Sequence, residues 1–508
     1  MGKKSIARNY IYNMVYQVLI LVLPLITTPY LSRVLGAEGI GIYSYTYAIV
    51  TYFILFGSLG VALYGQREIA YAQDNVEARA KTFFEILIFR FVTIFTSIII
   101  YFFLFMNGEK YQMYYRILLL ELVAAAFDIS WFFQGIEEFK RTVTRNVLVR
   151  VCSVTLVFIF VKTREDLAKF TLIYSLADLV GNLSLWLYLP KYLKGINVKN
   201  INVAQHIPQI VLLFIPQIAN QIYKILDTTM IGKIVDDKTE TGFYEQGQKV
   251  IRLLLTIVTS LGIVMIPRMA NTFASGDKKK INEYLKMSFK FVFFLSFPLM
   301  FGISVIASNF VPVFFGLGYD KVVVLIRIIC PIVLLMGIGN VVGTQYLLPT
   351  KRQKEYTISV TIGLVVNFFL NYFLITKYKS IGASIATVLS ELVVILIQLR
   401  LIKDDFNVGS LFDLSHKYVA ASIIMFIACL ISKVMLNMNA FSRGIVDLAI
   451  KLDIEYEFIF NICSIVVQVL VGMITYITTL IILKDDSIIK LIDKIKTVLH
   501  LKKDVTLQ

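Results

Sequence analysis

Apolar residues run along the chain in stretches of about 20, and short charged segments separate these stretches. Because about 20 helical residues cross ~30 Å of hydrocarbon, each stretch predicts a membrane-spanning helix. We count fourteen such stretches, which are residues 10–31, 40–64, 84–106, 113–135, 145–162, 168–190, 207–232, 243–267, 287–308, 321–348, 356–376, 380–402, 417–437 and 459–483. The pattern therefore predicts an all-α polytopic membrane protein.

The basic residues predict how these helices are oriented. When the N-terminus is placed inside the cell, most of the 50 Lys and Arg residues fall in loops on the cytoplasmic side. We therefore expect both termini to be cytoplasmic. The first apolar stretch is too long for a signal peptide and no small-residue cleavage site follows it, so we expect it to be retained as the first helix.

The last segment, residues 484–508, has a different pattern. Its apolar residues share one helical face, including Ile488, Ile492, Ile495 and Leu499, and lysines lie on the other face. This arrangement predicts an amphipathic helix on the surface of an anionic leaflet. A helix that binds a protein partner is the alternative.

An internal repeat relates the two halves of the chain. "SLGVALYGQREIA" from Ser58 returns as "SLGIVMIPRMA" from Ser260, and "EGIGIYSYTYAIV" from Glu38 matches "ETGFYEQGQKVI" from Glu240. Six spans separate the copies, and this even number gives both halves the same orientation. The repeat predicts two six-helix lobes related by a parallel pseudo-two-fold axis, an arrangement found in transporters.

The repeat also predicts the domain boundaries. Spans 1–6 form an N-lobe over residues 1–200, and spans 7–12 form a C-lobe over residues 201–405. Residues 406–483 hold two further helices outside the repeat, and residues 484–508 form the cytoplasmic tail.

Composition argues against most other classes of protein. The chain is 57% hydrophobic and only 17% charged, and its net charge of +16 is accounted for by basic loops that meet anionic lipid. No phosphate-binding G-x-x-x-x-G-K-[ST] motif is present, and the three histidines have no metal-ligand spacing. The longest predicted outer loop, residues 433–457, is too short for a catalytic domain. We therefore expect a transporter and not an enzyme.

Ionisable residues inside the predicted spans are the main candidates for function, since charge is costly within a bilayer. Lys224, Lys249 and Arg252 lie deep in their spans. Five others lie within about two turns of a helix end, where a long side chain can extend to the interface. These are Arg90, Arg116, Arg150, Lys290 and Arg327.

Polar residues recur at helical spacing along spans 7 and 8 and predict a water-filled cavity. The stripe on span 7 consists of Gln217, Asn220, Gln221, Lys224 and Asp227, and the stripe on span 8 consists of Glu245, Gln248, Lys249, Arg252, Thr256 and Thr259. A positive cavity suits an anionic substrate, because arginine binds phosphate oxygens in a forked geometry. The alternative is a neutral network, Lys224 with Asp227 and Glu245 with Lys249, that only fixes helix packing.

Acidic residues also lie deep in the predicted spans, at Glu121, Asp128, Asp178 and Glu391. Such residues counterbalance cations, carry protons or pair with a neighbouring charge. For Glu121 and Asp178 we favour pairing.

The N-terminal region carries a specific motif from Pro24 to Tyr43. It reads P-x-x-T-x-P-Y-L-S-R-x-L-G-x-E-G-I-G-x-Y, within a segment from Asn13 to Ala70 that closely resembles the polysaccharide transporter (Wzx-type) flippases. These belong to the multidrug/oligosaccharidyl-lipid/polysaccharide (MOP) exporter superfamily, and the resemblance extends over nearly the whole chain.

The resemblance implies two lobes around a central cavity that opens alternately to each side of the bacterial plasma membrane. The implied substrate is an undecaprenyl-pyrophosphate-linked oligosaccharide, which is moved from the inner to the outer leaflet for export of capsule or another surface polysaccharide. Polymerases and glycosyltransferases of the same pathway are the implied protein partners. A teichoic-acid precursor flippase and a drug/cation antiporter of the same superfamily are the alternatives.

The resemblance also suggests a role for the cations. Lys224, Lys249 and Arg252, with Arg116 and Arg327, would hold the pyrophosphate or an acidic sugar. The polar neighbours on span 7, Gln217 and Gln221, complete this predicted substrate site.

A second resemblance concerns ion coupling. The related lipid II flippases bind sodium with residues of spans 7, 11 and 12, and this chain has Asp227, Asn367, Asn371 and Thr387 at those places. Oxygen donors of this kind suit a hard cation. The chain departs from the pattern because Asn371 replaces a second acid, so a hydrogen-bonded asparagine pair is the alternative. The coupling ion, Na⁺ or H⁺, is left open.

Overall fold

The computed structural model describes residues 3–108, 110–193, 201–413, 415–436, 455–485 and 488–489. Side chains before residue 22, Leu19 excepted, and those of residues 215–217 fall outside this description. Over the described residues the protein is helical and contains no β-strand, so the predicted all-α class is confirmed.

Eighteen α-helices are described and are numbered here in chain order. They are α1 (Lys3–Ser58), α2 (Val61–Tyr71), α3 (Val76–Phe105), α4 (Gln112–Ala126), α5 (Ser130–Gly135), α6 (Phe139–Phe160), α7 (Leu167–Trp186), α8 (Pro190–Leu193), α9 (Ile207–Ile234), α10 (Lys238–Thr259), α11 (Gly262–Ala274), α12 (Lys278–Phe315), α13 (Asp320–Ile329), α14 (Ile332–Gly339), α15 (Gln353–Ile402), α16 (Val408–Phe412), α17 (Ser415–Leu436) and α18 (Tyr456–Ile482). A π-helix, Asn340–Leu347, continues α14.

These helices account for all the predicted spans. Within the described residues, 10 helical segments are long and apolar enough to cross a membrane, and two bent pairs raise the number to 12. One bent pair lies within residues 203–234 and the other is α10 with α11. The protein is therefore a multi-pass membrane protein.

Two of the ten long segments each contain a break, and dividing them there gives the fourteen predicted spans. Gly36 interrupts α1 at φ 68°, a left-handed conformation that glycine adopts readily. Lys379 interrupts α15 at φ 53°. The breaks turn one 56-residue helix and one 50-residue helix into two crossings each.

Contacts divide the chain into two compact units, which differ in extent from the predicted lobes. The first consists of Met1–Glu245 with Asn371–Ala383, and the second consists of Gln246–Leu370 with Ser384–Gln508. The lobe boundaries at residues 200 and 405 stay predictions.

The first unit is held together by aromatic packing and by a buried polar cluster. Trp131 of α5 stacks on Phe83 of α3, with ring centroids 5.5 Å apart. His206, which precedes α9, lies 2.6 Å from the Tyr64 hydroxyl through Nδ1 and 2.9 Å from Glu85 through Nε2. Since all three side chains of this cluster are buried, it fixes the start of α9 against α2 and α3.

The second unit packs around α12. Phe293 of α12 contacts Phe412 of α16, with ring centroids 5.4 Å apart. Asn309 donates an amide hydrogen to Asn461 at 2.7 Å, which ties α12 to α18. Such hydrogen bonds between helices are a common source of association in membrane proteins.

The beginning of the C-terminal tail is anchored in the second unit. The buried carboxylate of Asp485 accepts a hydrogen bond from the Tyr418 hydroxyl at 2.9 Å and lies 3.5 Å from the Lys290 ammonium group. Lys290, which we expected to extend to the membrane interface, thus points to a buried acid. The predicted amphipathic helix lies outside the described residues beyond residue 489.

In the first unit, α1 and α10 cross at two glycines that the repeat relates. A Cβ atom on Gly41 would lie 1.7 Å from the Lys238 carbonyl oxygen, and one on Gly242 would lie 1.9 Å from the Ala37 carbonyl oxygen. Gly41 and Gly242 are 201 positions apart, as are Ala37 and Lys238. Small residues let helix backbones approach closely in membranes, and here the repeat supplies one from each half.

Replacing Gly242 by alanine is expected to destabilise the protein. Its Cβ would meet backbone, so the helices must separate, and overpacking of this kind costs about 1–3 kcal/mol. We expect a lower melting temperature for purified Gly242→Ala in detergent. Gly302→Ala is the matched control, because a Cβ there meets only the Met425 methyl group at 3.9 Å. Equal melting temperatures of the two variants would contradict the tight crossing.

Candidate functional site

The carboxylate of Asp227 on α9 is buried and held by two neutral donors. The Tyr244 hydroxyl of α10 donates a hydrogen bond to Oδ2. The Asn371 amide of α15 donates to Oδ1 at 2.5 Å. The Asp227 side chain is only 6% exposed. The structure thus brings together two of the four residues predicted to bind a cation, Asp227 and Asn371, and adds Tyr244.

Lys224 lies three residues before Asp227 but has a different environment. Its side chain is exposed, and no ion pair joins it to any residue that the structure describes. The alternative in which a Lys224–Asp227 pair fixes helix packing therefore does not occur. Glu245 accepts a hydrogen bond from the Thr228 hydroxyl, and these two residues directly follow Tyr244 and Asp227, so the bond joins α9 to α10 beside the Asp227 cluster of Asp227, Tyr244 and Asn371.

The other predicted cation ligands belong to the second unit. Asn367, one turn before Asn371 on α15, is 0% exposed, and Thr387 is buried later in α15. No group of three or more His, Cys, Asp or Glu side chains suited to a metal occurs among the described residues. The oxygen donors at Asp227 are its own carboxylate, the Tyr244 hydroxyl and the Asn371 side-chain amide.

The predicted substrate-binding residues lie in varied environments. Gln221, Arg116 and Arg252 are exposed, and Lys249 is half-buried. Arg327 is exposed and donates from Nε to the Ser304 carbonyl oxygen at 3.1 Å. The side chain of Gln217 lies outside the described residues.

A polar cavity of about 390 Å³ lies inside the first unit, where the sequence alone predicted no site. Residues of α1, α2, α3, α4, α6 and α7 and of the segment around α5 surround it. Its charged lining residues are Arg90, Glu121, Asp128, Arg145, Arg150 and Asp178.

Arg90 of α3 is a structural anchor of this cavity. Its Nε and Nη2 both donate to the Ala125 carbonyl oxygen, at 2.9 and 2.7 Å, and Nη2 lies 3.6 Å from Asp128. α4 ends at Ala126, so this carbonyl belongs to the last turn, where it also accepts the Asp128 backbone N–H at 3.4 Å. A guanidinium is favourable at that negative end of the helix dipole.

A second arginine joins three helices around the cavity. Arg145 of α6 donates to the Asn182 side-chain oxygen at 2.7 Å, and the Asn182 amide of α7 donates to the Ala124 carbonyl at 2.7 Å. These bonds hold α6 and α7 to the end of α4.

The expectation that Arg90 extends to the membrane interface was wrong. Its side chain is 3% exposed and its hydrogen bonds are internal. Glu121 and Asp178, for which we favoured pairing, line the same cavity as Arg150. The cavity could have been predicted from the acids that the sequence places deep in the spans. These are Glu121, Asp128 and Asp178, which line the cavity together with the arginines.

The chain matches two family profiles. The family described as "Polysaccharide biosynthesis protein" matches residues 6–273, which is more than half of the chain. The family described as "MatE" matches residues 213–373.

Among curated proteins, the chain is similar to a putative O-antigen transporter of Escherichia coli (strain K12). The two are 26% identical over 409 residues, which cover 80% of this chain and 98% of the relative. A shorter match, 26% identical over 159 residues, relates 31% of this chain to 29% of the lipid II flippase MurJ of Bacillus subtilis (strain 168).

Solved structures share the fold. A lipid II flippase MurJ in an inward closed conformation aligns with a TM-score of 0.71 at 16% identity, covering 94% of this chain and all of that chain. An inward-facing multidrug resistance MATE family transporter of the MOP superfamily aligns with a TM-score of 0.58 at 12% identity, covering 77% of this chain and 98% of the other. At these identities the likeness establishes the architecture alone.

Proposed function

Because the chain belongs to the polysaccharide biosynthesis protein family, we propose that it is a flippase for an undecaprenyl-pyrophosphate-linked oligosaccharide repeat unit. It would carry this substrate from the inner to the outer leaflet of the bacterial plasma membrane by alternating access, with both termini in the cytoplasm. The observation that carries the proposal is the match to 98% of the length of a putative O-antigen transporter. The partial sequence match to the lipid II flippase of Bacillus subtilis (strain 168) supports a lipid-linked substrate as well.

Exposed cations on the membrane helices would bind the substrate's anionic group. Lys224 on α9 and Arg252 on α10 have exposed side chains, and Lys249 lies one turn before Arg252. A guanidinium can donate two parallel hydrogen bonds to phosphate oxygens, whereas an ammonium acts as a point charge. We assign the pyrophosphate or an acidic sugar to these three residues, with Arg116 and Arg327 as further contacts.

The Asp227 cluster would couple transport to an ion gradient. The residues fit a sodium ion, because the Asp227 carboxylate, the Tyr244 hydroxyl and the Asn371 amide all carry oxygen donors. Rotation of the Asn371 amide would present its oxygen in place of its nitrogen. The same carboxylate can instead carry a proton. We include Asn367 and Thr387 in the proposed site from their positions in the sequence.

The pathway served would be export of capsule or another surface polysaccharide, with its polymerase and glycosyltransferases as partners. A drug/cation antiporter is the second candidate, and the MatE match over residues 213–373 favours it. The exposed cations on α9 and α10 argue against a cationic substrate.

A reconstitution assay tests the proposed function. Purified protein is placed in liposomes that contain an undecaprenyl-pyrophosphate oligosaccharide with a fluorescent label on the glycan. A membrane-impermeant quencher then reports the fraction of label in the outer leaflet. We expect label to exchange between leaflets only in liposomes with the protein. If the label stays in place while cationic dyes are extruded, the protein is an antiporter.

A further inference from the structure

The polar cavity inside the first unit is lined by equal numbers of basic and acidic side chains. Three guanidinium groups, from Arg90, Arg145 and Arg150, accompany the carboxylates of Glu121, Asp128 and Asp178. A pyrophosphate in this cavity would be repelled by as many charges as attract it. The lining therefore suits an uncharged ligand.

The same groups are well matched to the hydroxyls of a sugar. A hydroxyl donates one hydrogen bond and accepts two, whereas a carboxylate only accepts and a guanidinium only donates. Each sugar hydroxyl can thus bind one group of each kind, and hydrogen bonds to charged groups are stronger than those between neutral groups. Asn146, Asn182 and Ser58 add neutral donors and acceptors, and Tyr47 adds an aromatic ring.

One buried donor in the lining lacks a partner. Arg90 uses Nε and Nη2 for the Ala125 carbonyl, but its buried Nη1 has no hydrogen-bond acceptor among the described residues. A buried donor left unsatisfied costs about 1–3 kcal/mol, so such groups usually have a ligand or water to bind. Because Nη1 is buried, a ligand oxygen would reach it only after the Arg90 side chain turns toward the cavity.

The size of the cavity limits the ligand. Sites for small molecules measure about 300–1,000 Å³. At about 390 Å³ the cavity lies at the lower end of that range, which suits a single sugar residue better than a whole oligosaccharide.

We propose that this cavity binds one uncharged sugar residue of the transported glycan and so selects the repeat unit. The inference rests on the proposed function, since that function supplies the glycan. Recognition of the sugar would then be separate from recognition of the pyrophosphate, which we assign to Lys224, Lys249 and Arg252.

Tryptophan fluorescence gives a direct test, because each of the chain's two tryptophans is close in sequence to a residue of the lining. Trp131 follows Ser130 of the lining, and Trp186 lies one turn after Asn182. The full chain in nanodiscs is titrated with a panel of neutral and acetamido methyl glycosides, and with inorganic pyrophosphate. We expect a saturable change with at least one glycoside and none with pyrophosphate.

A cavity-filling variant connects this signal to the cavity. Ala62 lines the cavity at an exposed position, so Ala62→Phe fills the space without removing a polar partner. We expect it to weaken glycoside binding at least about tenfold and to slow glycolipid exchange. Leu63→Phe changes the next residue, which is 51% exposed and outside the lining, and should behave as the unchanged protein.

Three outcomes would overturn the proposal. The first is no glycoside response in the unchanged protein, and the second is unchanged binding in a folded Ala62→Phe variant. The third is that Glu121→Gln and Asp178→Asn make glycolipid exchange independent of a proton gradient but leave the affinity for glycosides unchanged. In that case the cavity relays protons and does not bind sugar. If Ala62→Phe weakens glycoside binding but the unchanged protein does not move the labelled glycolipid, the sugar-binding cavity is supported and the flippase function is refuted.

Discussion

Substitution of Arg252 by alanine is expected to lower the rate of glycolipid exchange at least about a hundredfold. Arg252 is exposed on α10, and its guanidinium is assigned to the substrate's pyrophosphate. Each hydrogen bond to a charged group contributes about 1.5–3 kcal/mol, and a forked contact contains two of them. The initial rate of label exchange in liposomes measures the effect, at matched amounts of protein.

Two controls separate this effect from misfolding. Arg252→Lys keeps the charge but loses the fork, so we expect an intermediate rate. Ile257→Ala changes an exposed apolar residue of the same helix and should leave the rate unchanged. A normal rate in Arg252→Ala, with unchanged protein yield, would remove Arg252 from the substrate site.

Replacement of Asp227 by asparagine is expected to make transport independent of the imposed ion gradient. Asparagine keeps the size of the side chain and an oxygen that can accept from Tyr244 or Asn371. It removes the negative charge that would attract Na⁺ or bind H⁺. We expect the exchange rate under a gradient to fall to the rate without one. Separate sodium and proton gradients across the liposome membrane identify the ion.

Tyr244→Phe is the matched control for Asp227→Asn. It removes one hydrogen bond to Oδ2 but leaves the carboxylate in place, so gradient dependence should persist. If Asp227→Asn retains full dependence on both gradients, the cluster only joins α9 to α10 and α15.

The helices were predictable because the requirement to cross hydrocarbon acts on each segment separately. Each predicted span falls on one helix or on consecutive helices of the structure. The cavity was not predictable in this way, because the apolar run 113–135 conceals a break. α4 ends at Ala126 and α5 begins at Ser130, and this break leaves a backbone carbonyl at Ala125 for Arg90 to bind. The position of Arg90 near the end of its predicted span therefore predicted a side chain at the membrane interface, whereas the side chain is buried against the end of α4.

The Asp227 cluster was predictable only in part. Helical spacing placed Lys224 and Asp227 on one polar stripe of α9 and left an ion pair between them open as an alternative. In the structure the carboxylate is buried against Tyr244 and Asn371, whereas Lys224 is exposed. Tyr244 was missed because a tyrosine in an apolar run gives no polar signal, and its hydroxyl becomes relevant only when α9 and α10 pack.

The glycine crossing of α1 and α10 bears on the origin of the chain. Gly41 approaches the Lys238 carbonyl of α10, and Gly242 approaches the Ala37 carbonyl of α1, so each helix supplies one glycine and one carbonyl to the crossing. A reciprocal contact of this form is the arrangement found at isologous interfaces, as in a homodimer with two-fold symmetry. An ancestral protein with one copy of the repeat would present the same self-complementary surface to a second molecule.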